Sequence, residues 1–202
     1  MKNLIFICMF CLCLAGCATV ETSYTKTVPL DEDDGLGGTG IEATDIRTVS
    51  RKMAESILNV PQIMNAQGSP KIALLPVKNS TRFIINKDIF TKKIRIQLNQ
   101  NAQGKMVFLA RDRIDDILKE RKIKRPTESE EADNVSHSKL VDIMGIDFYL
   151  TGELMGLSKA NQGDRSDYIS MSFQLIDAET SEIIWENEYE VKRVGTSGVV
   201  YQ

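Results

Sequence analysis

The sequence predicts an α/β fold, a mixed sheet with helices packed on it, built by a single domain in the order α-β-α-β-α-α-β-β-β. Three observations carry this. Between residues 43 and 144 apolar residues recur at three- and four-residue steps in separate stretches. Short apolar runs of strand length, such as "PKIALLPV", lie between those stretches. Toward the end of the chain the apolar period becomes two, in a pattern that reads as a hairpin.

Within residues 43–59, Ile46, Val49, Met53 and Ile57 line one face of an amphipathic helix, with Val60 before Pro61, the proline that closes it. Residues 70–77 form a short strand bounded by "QGS" and "KNST". Phe90, Ile94 and Leu98 stand four apart and give a second helix, "KMVFLA" at 105–110 gives a strand, and Ile114, Ile117 and Leu118 give a third helix starting at Arg111 and ending near Lys122. A polar loop at 126–133 leads to a short helix at 136–144, with Leu140, Val141 and Met144 inward and Gly145 as its C′ residue. "DFYLTGELMGL", 147–157, reads as a strand whose glycines suggest a bulge or a close approach. Ile169, Met171, Phe173 and Leu175 then alternate with polar residues, as do Ile183, Trp185, Tyr189 and Val191 after "DAETSE". That is a hairpin with one buried face, and Trp185 is assigned to the core.

The stretch before the domain is read differently. All four cysteines, Cys8, Cys11, Cys13 and Cys17, lie at the start of the chain. Lys2, an unbroken apolar run over 4–14 and the small residues Ala15 and Gly16 follow the order of a signal peptide, and the run is shorter than the roughly 20 residues a spanning helix needs. Leu14-Ala15-Gly16-Cys17 resembles the lipobox of bacterial lipoproteins, so residues 1–16 are expected to be removed and Cys17 to carry the lipid. Several acyl chains at roughly 0.8 kcal/mol per buried methylene make a durable anchor. Ala18, rather than Asp, follows the cysteine, which resembles the outer-membrane class. Residues 17–42, rich in Thr, acid and Gly, are expected as a flexible linker ahead of a domain over 43–202. Fully extended, that linker reaches about 80 to 90 Å; as a coil its ends average about 25 to 30 Å apart.

Composition narrows the function. A formal net charge of −3 argues against a general nucleic-acid binder, which presents a strongly basic surface. Gly35 to Gly40 satisfies G-x-G-x-x-G, but "LDEDD" precedes it where a dinucleotide fingerprint needs a buried strand. The acidic run at 31–34 lacks the ligand spacing of an EF-hand loop. His137 is the only histidine and no free thiol accompanies it, so no zinc site and no other metal or cofactor is expected. No G-x-S-x-G elbow surrounds a serine. Glu153, Asp164, Asp167, Asp177 and Glu186 lie in the β-rich half, with no spacing that singles out a glycosidase pair. The sequons at Asn79 and Asn134 carry little weight in a bacterial lipoprotein. In "KERKIKRP", Arg121, Lys122, Lys124 and Arg125 gather at a helix end, where they either complement the helix dipole or steer an acidic partner.

Four stretches in order carry a resemblance: "GIEATDIRTVSRKMAESIL", "PKIALLPVKNST", "GIDFYLTGEL" and "YISMSFQLIDAETSEIIWENEYEVKR". Together they resemble the LpoB family of penicillin-binding protein activators, with Asn79, Thr81, Gly145, Asp147, Tyr149, Gly152, Leu175, Asp177, Ile184 and Trp185 at the corresponding places. The resemblance implies an outer-membrane lipoprotein, on the periplasmic face, that binds a class A penicillin-binding protein and stimulates its glycan polymerisation and crosslinking. It implies no catalytic residues in the activator itself. Two other readings are weighed against it: an envelope secretion or assembly lipoprotein of the curli-pore type, and a peptidoglycan hydrolase. As partner-binding residues of a monomer, Tyr168, Arg165 in a 159–167 loop, and Arg121, Lys122, Lys124 and Arg125 are the candidates, because Tyr and Arg are enriched in hot spots.

Overall fold

The computed structural model describes residues 25–30, 32, 38–124 and 145–196, with 122–124 described by backbone alone. The chain divides into a unit up to Glu32 and a second from Asp33 onward. In the first, the described part contains a turn closed by the Glu32 N–H on the Pro29 carbonyl at 3.1 Å. The expected leader, the lipidation site, most of the linker, the 126–133 loop, the 136–144 helix and His137 lie outside the described residues.

In the second unit, helix α1 covers Ala43–Ile57, α2 Pro61–Met64, α3 Asp88–Asn101 and α4 Ile114–Lys124; strands are β1 Lys71–Leu74, β2 Lys78–Ser80, β3 Val107–Phe108, β4 Phe148–Asn161, β5 Asp164–Asp177 and β6 Ile183–Thr196. The mixed α/β class holds. The six strands run β3-β1-β4-β5-β6, with β2 also on β4. β1, β2 and β3 pair in parallel, and β4-β5-β6 is an antiparallel meander.

Periodicity placed the core correctly. Val49, Met53 and Ile57 of α1, Phe90, Ile94 and Leu98 of α3, and Ile169, Met171, Phe173 and Leu175 of β5 are all fully buried. Each such side chain contributes roughly 1.5 to 3 kcal/mol over leaving it exposed. α1 and α3 pack on each other and on the same sheet face, and the Phe90 and Phe173 rings meet at 5.9 Å between centroids.

Where the elements differ from expectation, local chemistry gives the reason. Pro61 opens a one-turn helix rather than merely closing α1, since its fixed φ suits the first helical position. The strand expected over 70–77 is broken at Pro76, which has no N–H to give the ladder, and "KNS" resumes it as β2 further along β4. Only Val107 and Phe108 of "KMVFLA" pair as strand, and Arg111–Arg113 is a 3-10 turn leading into α4.

β4 and β5 run four residues past the expected strand end, each about 45 Å long. The expected 159–167 loop is instead the tip of a tight hairpin. Gln162 and Gly163 take φ of 44° and 94°, the paired left-handed conformation that a two-residue hairpin turn requires. A bulge between Leu175 and Ile176 changes the parity of β6: Ile176 pairs with Ile183, so Ile183 is 52 % exposed while Ile184 packs on the core. Trp185 is half-buried at the rim of that core, and its Nε1 donates to Ser56 Oγ of α1 at 2.9 Å.

Candidate functional site

The far end of the hairpin, beside the N-terminus of α1, is held by charge and hydrogen bonds more than by apolar burial. Asp167 of β5 is 1 % exposed and accepts from Arg82 Nε at 3.0 Å, from Arg82 Nη2 at 2.6 Å, and from the hydroxyls of Ser158 and Thr39. The hydrogen bonds of Arg82, above all, hold its carboxyl well below the usual carboxylate range. Arg193 of β6 donates to the Gly40 carbonyl at 2.7 Å and pairs with Asp45 at 2.9 Å and Glu42 at 3.1 Å. Gly40 lies against the Phe83 ring, where a Cβ would come within 3.3 Å, so a side chain there would have to push the ring aside by a few tenths of an ångström. Thr39 and Gly40 belong to the stretch read as linker, yet here they are clipped to β5 through Asp167 and to β6 through Arg193.

Asn79 and Thr81 aim the loop that supplies Arg82 and Phe83. Asn79 Oδ1 accepts from the Thr81 N–H and hydroxyl at 3.0 and 2.8 Å, and its Nδ2 donates to the Phe83 carbonyl at 2.8 Å. Both residues are turn formers, and their side chains supply the hydrogen bonds that close this turn.

Among the described residues nothing covers the opposite face of this distal sheet. Met155 and Leu157 of β4 are 45 % and 58 % exposed, and Val194 of β6 is 72 % exposed. Tyr168 of β5 stands between Leu157 and Lys192 in the ladder, half-buried, with its hydroxyl on the Glu190 carboxylate. That bond to Glu190 raises the phenol above its ordinary pKa. On the same face Gln174 Nε2 donates to Glu186 at 2.6 Å and Ser170 Oγ to Glu188 at 3.2 Å.

The predicted partner-binding residues are not brought together. Tyr168 lies on the uncovered face. Arg165 shares the parity of Asp167, on the other side of the sheet, with its Nε buried and unbonded. Arg121 is exposed on α4, which starts just beyond β3, three strand spacings or about 14 Å from β5. The Lys122 and Lys124 side chains and all of Arg125 lie outside the described residues.

Of the candidate carboxylates, Glu153, Asp167, Asp177 and Glu186 have structural partners instead of each other. Glu153 pairs with Lys78 at 2.8 Å and accepts from Ser80, and Lys78 chiefly lowers its pKa. Asp177 accepts the Thr180 and Glu179 N–H groups at 2.8 and 2.9 Å, which lower its pKa and form the β5–β6 turn. A general acid needs a raised carboxyl pKa, and Asp167, Glu153 and Asp177 are all shifted the other way. Among the described residues no group of three or more His, Cys, Asp or Glu is placed to hold a metal ion, and no helix is long and apolar enough to cross a membrane.

Residues 45–191, from the first turn of α1 to most of β6, match the family model of the peptidoglycan-synthase activator LpoB. The chain belongs to the LpoB family. Among solved structures, the LpoB C-terminal domain from Salmonella enterica is similar at 18 % identity and a TM-score of 0.43, over 73 % of this chain and 98 % of that one. The LpoB C-terminal domain from Escherichia coli is similar at 17 % identity and 0.43, with the same shares covered. Lipoprotein GNA1162 from Neisseria meningitidis is similar at 15 % and 0.38, over 62 % of this chain and 83 % of that one. A search of curated proteins gave no match.

The residues that carry the LpoB pattern are mostly fold-forming. Asp147 accepts the Lys71 N–H at 2.6 Å and so aligns the starts of β4 and β1. At Gly152 a Cβ would come within 2.5 Å of the Ser172 carbonyl and 2.6 Å of the Phe173 ring, a close approach that only glycine permits. The LpoB signature therefore identifies a scaffold, and the partner surface has to be sought where the scaffold leaves side chains free.

Proposed function

We propose that this chain is an outer-membrane lipoprotein, held through lipid on Cys17. In this reading its domain over 43–202 binds a class A penicillin-binding protein as a monomer and stimulates glycan polymerisation and crosslinking. The observation that carries the reading is the LpoB family match across residues 45–191. The lipobox and the stretch from 17 to the clip at Thr39 add an anchor and a tether. The uncovered sheet face adds a surface for a protein. A ligand moves a conformational equilibrium only by binding its two states differently, so the domain must prefer the active synthase; tenfold activation needs about 1.4 kcal/mol of preference. The charged uncovered face does not suit a lipid-facing strand, which separates this reading from a curli-type pore.

The chain from Cys17 onward, with Cys17→Ser, is expected to raise the glycan polymerisation rate of a class A synthase from its own cell several-fold. Unchanged rates with every such synthase would overturn the reading. In cells, replacing residues 1–17 with a cleavable signal peptide that has no lipobox should move the protein from the membrane to the soluble fraction; retention at the membrane would remove the lipid anchor from the account.

A further inference from the structure

Residues 39–42 and Phe83 cover one face of the distal sheet, but the other face keeps Met155, Leu157 and Val194 in water beside Tyr168. Single exposed apolar residues are ordinary, whereas neighbours on adjacent strands mark a contact surface. Leu157 and Tyr168 are directly paired across β4 and β5, and Val194 sits one pleat further along β6.

β6 is the edge of the sheet, and Glu186, Glu188 and Glu190 follow one another on this face at about 6.8 Å intervals. Each is oriented by a neutral donor, Gln174, Ser170 and Tyr168 respectively, and among the described residues none is held by a cation. Glu153, by contrast, has Lys78. Charges on an edge strand guard it against pairing with other chains. Edge protection does not explain Met155, which lies between β2 and β5 in the ladder, and Leu157, just past the last β2 pair, is apolar where an edge guard would be charged.

The face also carries Lys192 beside Tyr168 and Lys159 two residues past Leu157, so its acid is concentrated in the Glu186–Glu190 row, and the sign of that row selects what docks along it. A second copy docking face to face would bring carboxylates against carboxylates, and an anionic lipid surface would be repelled. A protein surface with Lys or Arg around an apolar projection matches both the charge and the exposed aliphatic centre. We infer that the uncovered face centred on Met155, Leu157, Tyr168 and Val194, with Glu186, Glu188 and Glu190 along its edge, docks a basic, apolar-bearing surface of the synthase. This rests on the proposed function and names the part of the domain that performs it.

The test measures binding of the full chain, in detergent, to the synthase that wild type binds. Leu157→Asp is expected to weaken Kd at least tenfold. The triple Glu186→Gln, Glu188→Gln, Glu190→Gln variant is expected to slow association several-fold at low salt and to flatten its salt dependence. Arg51→Ala, on the solvent side of α1, should leave Kd unchanged. Leu157→Thr, which keeps strand propensity, replaces Leu157→Asp if the latter lowers Tm. Folded variants that bind as tightly as wild type overturn the inference and leave the proposed function standing. A wild-type chain that binds no class A synthase removes both. A wild-type dimer that Leu157→Asp converts to monomer makes this a self-association face and also overturns the inference.

Discussion

At the proximal end of the β4–β5–β6 sheet, Leu150, Phe173 and Leu175 are sealed beneath α1 and α3, whereas at the distal end Ser158, Asp167 and Arg193 meet Thr39, Gly40 and Arg82 through charge and hydrogen bonds. The same two strands, continuous over 14 residues each, pass from one regime to the other. Apolar burial tolerates small shifts and is insensitive to acid. A buried ion pair depends on geometry, on both partners and on pH. The comparison also divides labour: the proximal end supplies the apolar core, and the distal end holds the stretch from Thr39 to Glu42 on one face while the described residues leave the other face open.

Phe173→Ala attacks the proximal regime and should have the largest effect, about 3 to 5 kcal/mol of unfolding free energy by urea titration, because the side chain is fully buried against Phe90. A loss under about 1 kcal/mol would mean that the helices contribute little to holding this end.

Asp167→Ala attacks the distal regime. Losing one partner of a buried pair costs about 3 to 5 kcal/mol, but the Arg82 side chain is 27 % exposed and water recovers part of its charge, so about 2 to 3 kcal/mol is expected. Amide exchange at 40–42 should accelerate while the β5 amides near Phe173 stay protected; equal acceleration at both ends would merge the two regimes. The carboxyl is held well below the ordinary range, chiefly by Arg82. Its contribution is therefore complete above the unfolded value of about 3.9 and is lost as pH falls through the lowered folded value. Wild type and Asp167→Asn should run parallel from about pH 8 to 5 and converge below about pH 4.

Ser56→Ala is the smallest change. It removes the acceptor of Trp185 Nε1 at 2.9 Å and of Asn187 Nδ2 at 3.2 Å, where β6 meets α1. About 1 kcal/mol is expected by thermal or urea unfolding, without faster exchange at 40–42.

The proximal end was legible in the sequence because its chemistry is periodic. Four-residue spacing in α3 and two-residue spacing in β5 each name the buried face directly. The bulge at Ile184 was not legible, since one extra residue leaves the local pattern intact and changes only the pairing, so Ile183 was expected inward and faces out. Asp167 and Arg193 share the core-facing parity of Ile169 and Val191, which places them on the inward side but does not say which groups they meet. Their partners Thr39, Arg82 and Asp45 stand far away in the chain, and nothing local announces such a pairing. Tyr168 is half-buried, and its grouping with Met155, Leu157 and Val194 needed the register of three strands.

By itself the sequence determined the α/β class, the buried faces of α1, α3 and β5, and the order of motifs that marks the LpoB family, because each is written in local spacing. Only the tertiary structure decided where the stretch from Thr39 to Glu42 is clipped, which carboxylates are tied to cations, and which face of the sheet stays open. Those depend on residues distant in sequence meeting across strands, and the free energy of such a meeting belongs to the pair rather than to either residue.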